Sequence, residues 1–596
     1  MTIATELPPT LDKIDIPFKI SAGPGAGKTT WLVSHVQNVL KNSDKLGKTQ
    51  KVACITYTRM GADTVDRKTK KITGTDRLDI GTIHSFLYRN VIKPFSYLIS
   101  KDDNGNILFS TSELAGHTEN RPSYDRISSW ISRIGTTYSY LYDQKKPDSK
   151  GNTNLSKTAK LLKEFEWVFD GSELKGKLRK NNFPDLKFPS TKMLDYKKAC
   201  WSKGIMHHED VLYFTHFIFK RSPRIVEFVA NKFPYLFLDE FQDTNPLQTW
   251  IVSEIAKKGT VVGVIGDPAQ AIFEFAGARR KDFFNFNLPA MQNFKKSHNY
   301  RSTVTIINFL KQFRDDIEQK PKENAELGDN VLMLVADTKA ATSFITSLNN
   351  EDFAILCRSN SDIYKLKSLL KTNEGSNLVN LLYTQDSVHK RAAFIHSLVK
   401  AYDFNKNHDF KEAVNEIKKY LNYNINDGFQ KRKIAIDILN YLNNNTDKSV
   451  GEIYKYLHTV AKNYSAGLTG LSKLKEVHHK PLNEFLPFIS QQSKITSKIR
   501  TIHQSKGGEF TNVLIHLNDK TNKNGTVSKK LENILEDYLI NAKLNIALDN
   551  KIGEETRLLY VACSRAISRL VINVPRLSPE DEIKMNNLGV MVQRNF

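Results

Sequence analysis

Residues 17–40 read PFKISAGPGAGKTTWLVSHVQNVL, a pattern that predicts a short strand, a glycine-rich turn and then an amphipathic helix. A second apolar run, Leu236-Phe237-Leu238, predicts a buried strand and ends on the acids of LFLDEFQDTN, namely Asp239, Glu240 and Asp243. DFAILCRSN at 352–360 predicts another buried strand. No proline occurs between Pro321 and Pro481, which favours long helices there. Within that stretch Ile453, Tyr456, Leu457, Val460, Ala461 and Tyr464 follow a 3.6-residue period, an apolar face assigned to the core. KTNKNGTVSKK at 520–530 reads as a flexible polar loop.

The chain has 596 residues, more than one hydrophobic core serves, so several domains are expected. With 40% apolar and 10% aromatic residues it is a folded chain rather than a disordered one. Its 87 Lys+Arg against 64 Asp+Glu give a formal charge of +23, which points to an anionic partner, most often nucleic acid. Charge alone fits a merely basic soluble protein equally well. The four cysteines lack CxxC spacing, and the pairs His207-His208 and His478-His479 lack i,i+4 spacing, so neither a disulfide nor a metal is read there. The start, MTIATELPPTLDKID, has no basic and apolar signal pattern, and no stretch reaches membrane-spanning length. A cytoplasmic protein without a membrane partner is expected.

The turn Ala22-Gly23-Pro24-Gly25-Ala26-Gly27-Lys28-Thr29, continued by Thr30, fits a Walker A loop with Ala22 in place of the first glycine. Its glycines let backbone N–H groups converge on phosphate oxygens at a helix N-terminus. Lys28 would reach the terminal phosphates and the Thr29 hydroxyl would bind Mg²⁺. Alone, this loop does not separate kinases, GTPases, transporters and motors. Three carboxylates as close as Asp239, Glu240 and Asp243 repel one another unless something positive lies between them. Paired with the upstream loop, the strand ending in Asp239-Glu240 reads as a Walker B strand. Asp239 would hold the Mg²⁺ of Mg-ATP, and Glu240 would orient and deprotonate the attacking water.

The order of further segments resembles the UvrD/Rep-like superfamily 1 helicases. ITYTRMGADTV (55–65), GTIHSF (81–86), HHEDVLYF (207–214), VIGDPAQAIFEFAGA (264–278), NYRS (299–302), TIHQSKGGEF (501–510) and EETRLLYVACSRA (554–566) follow the family's motif order around the two Walker segments. The resemblance implies that Gln270 senses the γ-phosphate, Tyr300 stacks on adenine and Glu509 accepts from the ribose. It implies that Arg301 and Arg565 reach the γ-phosphate from the opposite lobe. It offers Tyr57, His84, Phe275 and His503 as contacts to single-stranded DNA, with Gln242 and Asp243 coupling the lobes. Three positions depart from the family. No glutamine precedes Gln37, Ala276 stands before Gly277 where motif III usually carries arginine, and Pro268-Ala269 replace its usual acids.

The expected architecture is α/β, with two RecA-like P-loop NTPase lobes, each carrying a mainly helical insertion. The first lobe is placed at 1–90 and 225–298 with its insertion at 91–224. The second is placed at 299–384 and 491–596 with its insertion at 385–490. The expected activity is that of an ATP- and Mg²⁺-dependent helicase moving 3′→5′ on single-stranded DNA and unwinding tailed duplexes. The other reading is a motor or ATP-gated DNA-binding subunit of a multi-protein nuclease, DNA-repair or phage-defence complex, partnered by a nuclease or other protein subunit, that unwinds little alone.

Overall fold

The computed structural model describes residues 4–57, 59–70, 75–102, 105, 107–111, 116–117, 122–149, 151–180, 182–187, 191–347, 353–372, 378–386, 389–406, 409–419, 421, 428–460, 475–486, 498–521 and 527–594. They form two compact units. The first holds the chain up to Asn330 with 506–509 and 532–569; the second holds 331–505, 510–531 and the chain from Leu570. Residues 299–330, 506–509 and 532–569, expected from sequence in the second lobe, thus pack with the Walker segments. Among the described residues no helix is long and apolar enough to cross a membrane.

In the first unit, β1 (Thr5–Glu6), β2 (Phe18–Ala22), β3 (Val52–Thr56), β4 (Leu78–Thr82), β7 (Tyr235–Leu238), β8 (Val261–Gly266) and β9 (Gln292–Lys296) make one sheet in the order β1-β9-β2-β8-β7-β3-β4. Every pairing is parallel. β3, β7 and β8 are buried at every position, the continuous apolar pattern of central strands covered on both faces. Because β2, β8 and β7 are neighbours, their carboxyl ends bring the Gly23–Gly27 turn, Asp267 and Asp239 to one edge, where ligands bind in open parallel sheets.

Among the described residues the insertion between β4 and β7 is mainly helical and includes a hairpin, β5 (Phe165–Phe169) and β6 (Leu174–Leu178). The basic segment KGKLRK runs along β6 and just past it. Trp167 anchors the hairpin: its ring stacks on Tyr213 at 4.3 Å and on Trp201 at 6.2 Å. Its indole N–H donates to the buried Asp210 carboxylate at 3.3 Å. A short parallel pair, β10 (His298–Asn299) with β11 (Lys320–Pro321), follows β9.

The second unit has a six-stranded sheet in the order β14-β13-β15-β18-β12-β19, formed by β12 (Val331–Val335), β13 (Phe353–Cys357), β14 (Ile499–Thr501), β15 (Phe510–His516), β18 (Ala566–Val574) and β19 (Val590–Arg594). β12 lies parallel to β18 and β19, and β13 parallel to β14 and β15. The helical segment between β13 and β14 has its own core, including Leu382, Phe394, Leu398, Ile417, Leu439, Ile453, Tyr454 and Leu457. Its buried face in the last long helix runs through Val450, Ile453, Tyr454 and Leu457. Tyr456, expected on that face, is 44% exposed and stacks on Tyr441 at 3.9 Å. Ala461 and Tyr464 lie outside the described residues. The polar segment at 520–530 begins and ends in a two-stranded antiparallel ribbon, β16 (Lys520–Thr521) with β17 (Val527–Lys529); its middle, 522–526, lies outside the described residues.

Candidate active site

The turn after β2 feeds α1 (Lys28–Asn42), and Gly27 caps that helix with a left-handed φ of 71°. Gly25 also has a positive φ, 67°, and a Cβ there would lie 2.2 Å from Asn299 Oδ1. Tyr300 N–H donates to the Gly25 carbonyl at 2.8 Å, so the 299–301 segment sits directly on the loop. Gly25→Ala combines a left-handed backbone penalty of ~1–2 kcal/mol with that collision. The variant is expected to lose at least tenfold in nucleotide affinity, read by titration with a fluorescent nucleotide.

Around the loop lies a cavity of about 310 Å³, lined by Gly25 to Thr30, Asp239, Glu240, Gln270, Tyr300, Arg301, Glu509 and Arg565. These include every sequence-predicted catalytic and nucleotide residue except Ala22, which ends β2, and Gly23, whose carbonyl accepts from Lys28 Nζ at 3.4 Å. Thr29 Oγ1 donates to Asp239 Oδ2 at 3.3 Å. Burial, reinforced by the neighbouring Glu240, pushes the Asp239 carboxyl up to about 6. Such a carboxyl beside a hydroxyl suits a hard, oxygen-seeking cation, which would return it to its ionised form. Burial opposes ionisation of Glu240 too, but Lys28 and Lys506 outweigh it and hold that carboxyl below its ordinary value.

Glu240 stands in the left-handed region at φ 57° and accepts from Gln242 Nε2 at 2.5 Å. Gln242 Oε1 in turn accepts from Asp267 N–H at 3.0 Å. Gln270 is held at both ends: its Nε2 donates to Asp267 Oδ2 at 2.7 Å, and its Oε1 accepts from Arg565 Nη2 at 2.7 Å. Arg301 Nη1 donates to the Ser564 carbonyl at 2.9 Å and its other terminal nitrogen pairs with Glu509, while Nε is buried with no partner among the described residues. Burial, with the charge of Arg301, pulls the Arg565 guanidinium down to about 9. Two crowded cations and an orphaned donor are a cradle for anionic oxygens. Tyr300 exposes 53% of its surface, with Lys296 Nζ over its ring at 5.5 Å.

Several contributors were not singled out from sequence. Lys506 is buried, 2.5 Å from Asp243 Oδ2 and 2.6 Å from the Gln270 carbonyl, with Phe273 beneath it at 5.0 Å. It lies within the quoted TIHQSKGGEF segment, which was the available signal. Arg314 lies in no motif, yet it is buried against Asp267 at 2.7 Å and fixes the residue that holds Gln270. Arg557 is fully buried, donating to the Ala271 carbonyl at 3.0 Å and to Glu274 Oε1 at 2.5 Å, which ties the Lys551–Cys563 helix to the segment after Gln270.

A larger cavity of about 670 Å³ adjoins this site, lined by Tyr57, His84, Trp167, Arg179, Ala276 and Arg279 among others. Tyr57 stacks on Phe273 at 4.9 Å, and Phe275, beside Ala276, is 52% exposed. Burial, then the nearby His208 and His117, pulls His84 down to about 3, so it is neutral at ordinary pH. His503, the fourth residue offered for DNA, is half-buried on the Ile502–Ser505 turn and belongs to the second unit. His207, Glu209 and Asp210 cluster closely enough to suggest a metal. Lys197 Nζ occupies that position, 2.6 Å from Glu209, 2.9 Å from Asp210 and 3.1 Å from His207 Nδ1.

A parallel sheet with a phosphate loop, an Asp-Glu strand end and two arginines at one cavity defines a P-loop nucleotide-binding protein. Residues 9–291 match the UvrD/REP helicase N-terminal domain and residues 472–576 the UvrD-like helicase C-terminal domain; the chain belongs to the UvrD/Rep-like helicase family. It is 26% identical over 324 residues to the ATP-dependent DNA helicase PcrA of Staphylococcus aureus, a match covering 51% of this chain and 39% of that protein. Identity is also 26% over 388 residues to the PcrA of Bacillus subtilis, covering 61% and 48%. It is 24% over 303 residues to a probable DNA helicase II homolog of Rickettsia felis, covering 49% and 41%. The chain thus spans less than half the length of these curated relatives.

Proposed function

We propose that the protein is an ATP-dependent DNA helicase that couples hydrolysis to movement along single-stranded DNA, 3′→5′ by likeness to its family. One observation carries the reading. Lys28, Asp239, Glu240, Gln270, Arg301 and Arg565 line a single cavity at the carboxyl ends of adjacent parallel strands. The triphosphate would lie along the Gly23–Gly27 turn, its terminal phosphate met by Lys28, Arg301 and Arg565. Tyr300 offers a ring face for the base and Glu509 a carboxylate for the ribose. Glu240, kept ionised by Lys28 and Lys506 and oriented by Gln242, takes the proton of the attacking water. Thr29 and Asp239 would hold Mg²⁺, which neutralises phosphate charge when bound. Gln270 connects this end to the groove: Arg565 holds its amide, and Lys506 links its carbonyl to the Phe273–Tyr57 stack.

The test is ATP hydrolysis with and without single-stranded DNA. Wild type is expected to be stimulated by DNA. Lys28→Ala is expected to lose binding and turnover together. Glu240→Gln is expected to keep nucleotide affinity and lose turnover ~10²–10⁴-fold, the scale of a positioned general base. Absence of any DNA stimulation in the wild type counts against the reading. Ala276, where motif III usually carries arginine, favours a second one: an ATP-gated clamp, alone or as a subunit of a larger assembly. Arrival times that grow with oligonucleotide length in stopped-flow assays require a motor and exclude the clamp.

A further inference from the structure

Ala276 leaves motif III without its guanidinium, but the structure brings another one to the same place. β5 and β6 pair Phe165 with Leu178, and the ladder continues one residue further, Arg179 N–H donating to the Glu164 carbonyl at 2.9 Å. This register is fixed by the Trp167 anchor, so Arg179 is delivered by a rigid element rather than a free loop. Its Nη1 donates to the Phe275 carbonyl at 3.4 Å, one residue before Ala276, and it lines the larger cavity with Tyr57, His84 and Arg279. The side chain is 33% exposed, and its carboxylate neighbours sit at the limit of pairing, Glu166 at 3.8 Å and Glu164 at 4.0 Å. Glu166 comes from the strand opposite and lies 3.9 Å from where a Gly277 side chain would be. The hairpin therefore closes over the motif III segment with a cation loosely held by two acids.

We propose that Arg179 is a backbone-phosphate contact of the single-stranded nucleic-acid groove, supplied by the β5–β6 hairpin in place of the arginine absent at Ala276. The inference rests on the DNA-binding reading above. A phosphodiester entering the cavity exchanges places with Glu166 at the guanidinium, so Glu166 is the competing anion of the DNA-free protein. Phosphate contacts carry no sequence information and act through counterion release.

The experiment is equilibrium binding of the full chain to fluorescein-labelled dT and mixed-sequence oligonucleotides across a salt series. Arg179→Ala is expected to weaken both oligonucleotides equally, about 3- to 10-fold, and to lower the log–log salt slope by about 0.7, one phosphate on a single strand. Arg179→Lys is expected to keep the slope. Glu166→Gln is expected to tighten binding 2- to 5-fold, a gain that misfolding does not produce. That gain is expected to vanish in the Arg179→Ala, Glu166→Gln double variant. An unchanged slope in Arg179→Ala, or a Glu166→Gln gain that persists without Arg179, overturns the proposal and leaves Arg179 as a hairpin ion-pair residue. A wild type that binds neither oligonucleotide sinks the proposed function, and this inference with it.

Discussion

Replacing Arg565 with alanine is expected to lower ATPase turnover by about 10³-fold or more, with nucleotide affinity changed by only a few fold. The guanidinium is fully enclosed: Nε donates to the Val561 carbonyl at 3.0 Å, and Nη2 reaches Gln270 Oε1 at 2.7 Å and Ser564 Oγ at 2.9 Å. Its depressed pKa, caused first by burial and then by Arg301, marks a cation short of negative partners. Charge developing on a phosphoryl group relieves that shortage, and low dielectric strengthens the relief, so the benefit falls on the transition state. A kcat loss with little change in KM is the signature. Arg565→Lys is expected to recover little, because an ammonium cannot hold Gln270, Ser564 and a phosphate oxygen in one planar fork. A variant that turns over ATP at the wild-type rate removes Arg565 from the chemistry.

Arg314→Met is expected to destabilise the first unit by ~3–5 kcal/mol, the scale for leaving one partner of a buried pair alone. Arg314 and Asp267 are 1% and 0% exposed, and Arg314 also donates to Tyr560 at 3.3 Å. Asp267 would remain at the sheet edge with its guanidinium partner gone, still accepting from Ala269 N–H at 3.1 Å and from Gln270. The measurement is urea denaturation followed by intrinsic fluorescence, with the first midpoint falling by about 1 M or more. Asp267→Asn in the same background removes the stranded charge and is expected to restore part of the loss. A midpoint equal to that of the wild type contradicts the assignment of a structural ion pair.

The chemistry was legible where it is local. A strand, a glycine turn and a helix in sequence must place Lys28 and Thr29 at a helix N-terminus, and LFLDE must end a buried strand in carboxylates. Apolar runs likewise announced buried strands, while the α/β architecture came from the family resemblance, whose motif order named residues that the fold does bring together. The rest depended on contacts that no periodicity encodes. Arg314 meets Asp267 only because β8 and the Val304–Lys311 helix fold back on each other's ends. The Trp167 hairpin lies in a stretch read as helical, since five-residue strands give little period and their stability comes from Trp201, Tyr213 and Asp210 elsewhere in the chain. Tyr456 shows the limit of period counting: it falls in the apolar period, yet the fold buries Tyr454 instead and leaves Tyr456 against Tyr441 at the surface.

Glu240 is one of three described non-glycine residues with positive φ, the others being Ala290 and Asn324. At that backbone position glycine is the residue folding prefers, by roughly 1 kcal/mol or more, while the proposed hydrolysis requires a carboxylate. The two demands select in opposite directions at a single codon. Random mutagenesis scored for solubility or heat resistance would therefore enrich Glu240→Gly, and the survivors would be sturdier proteins that bind ATP and do not spend it.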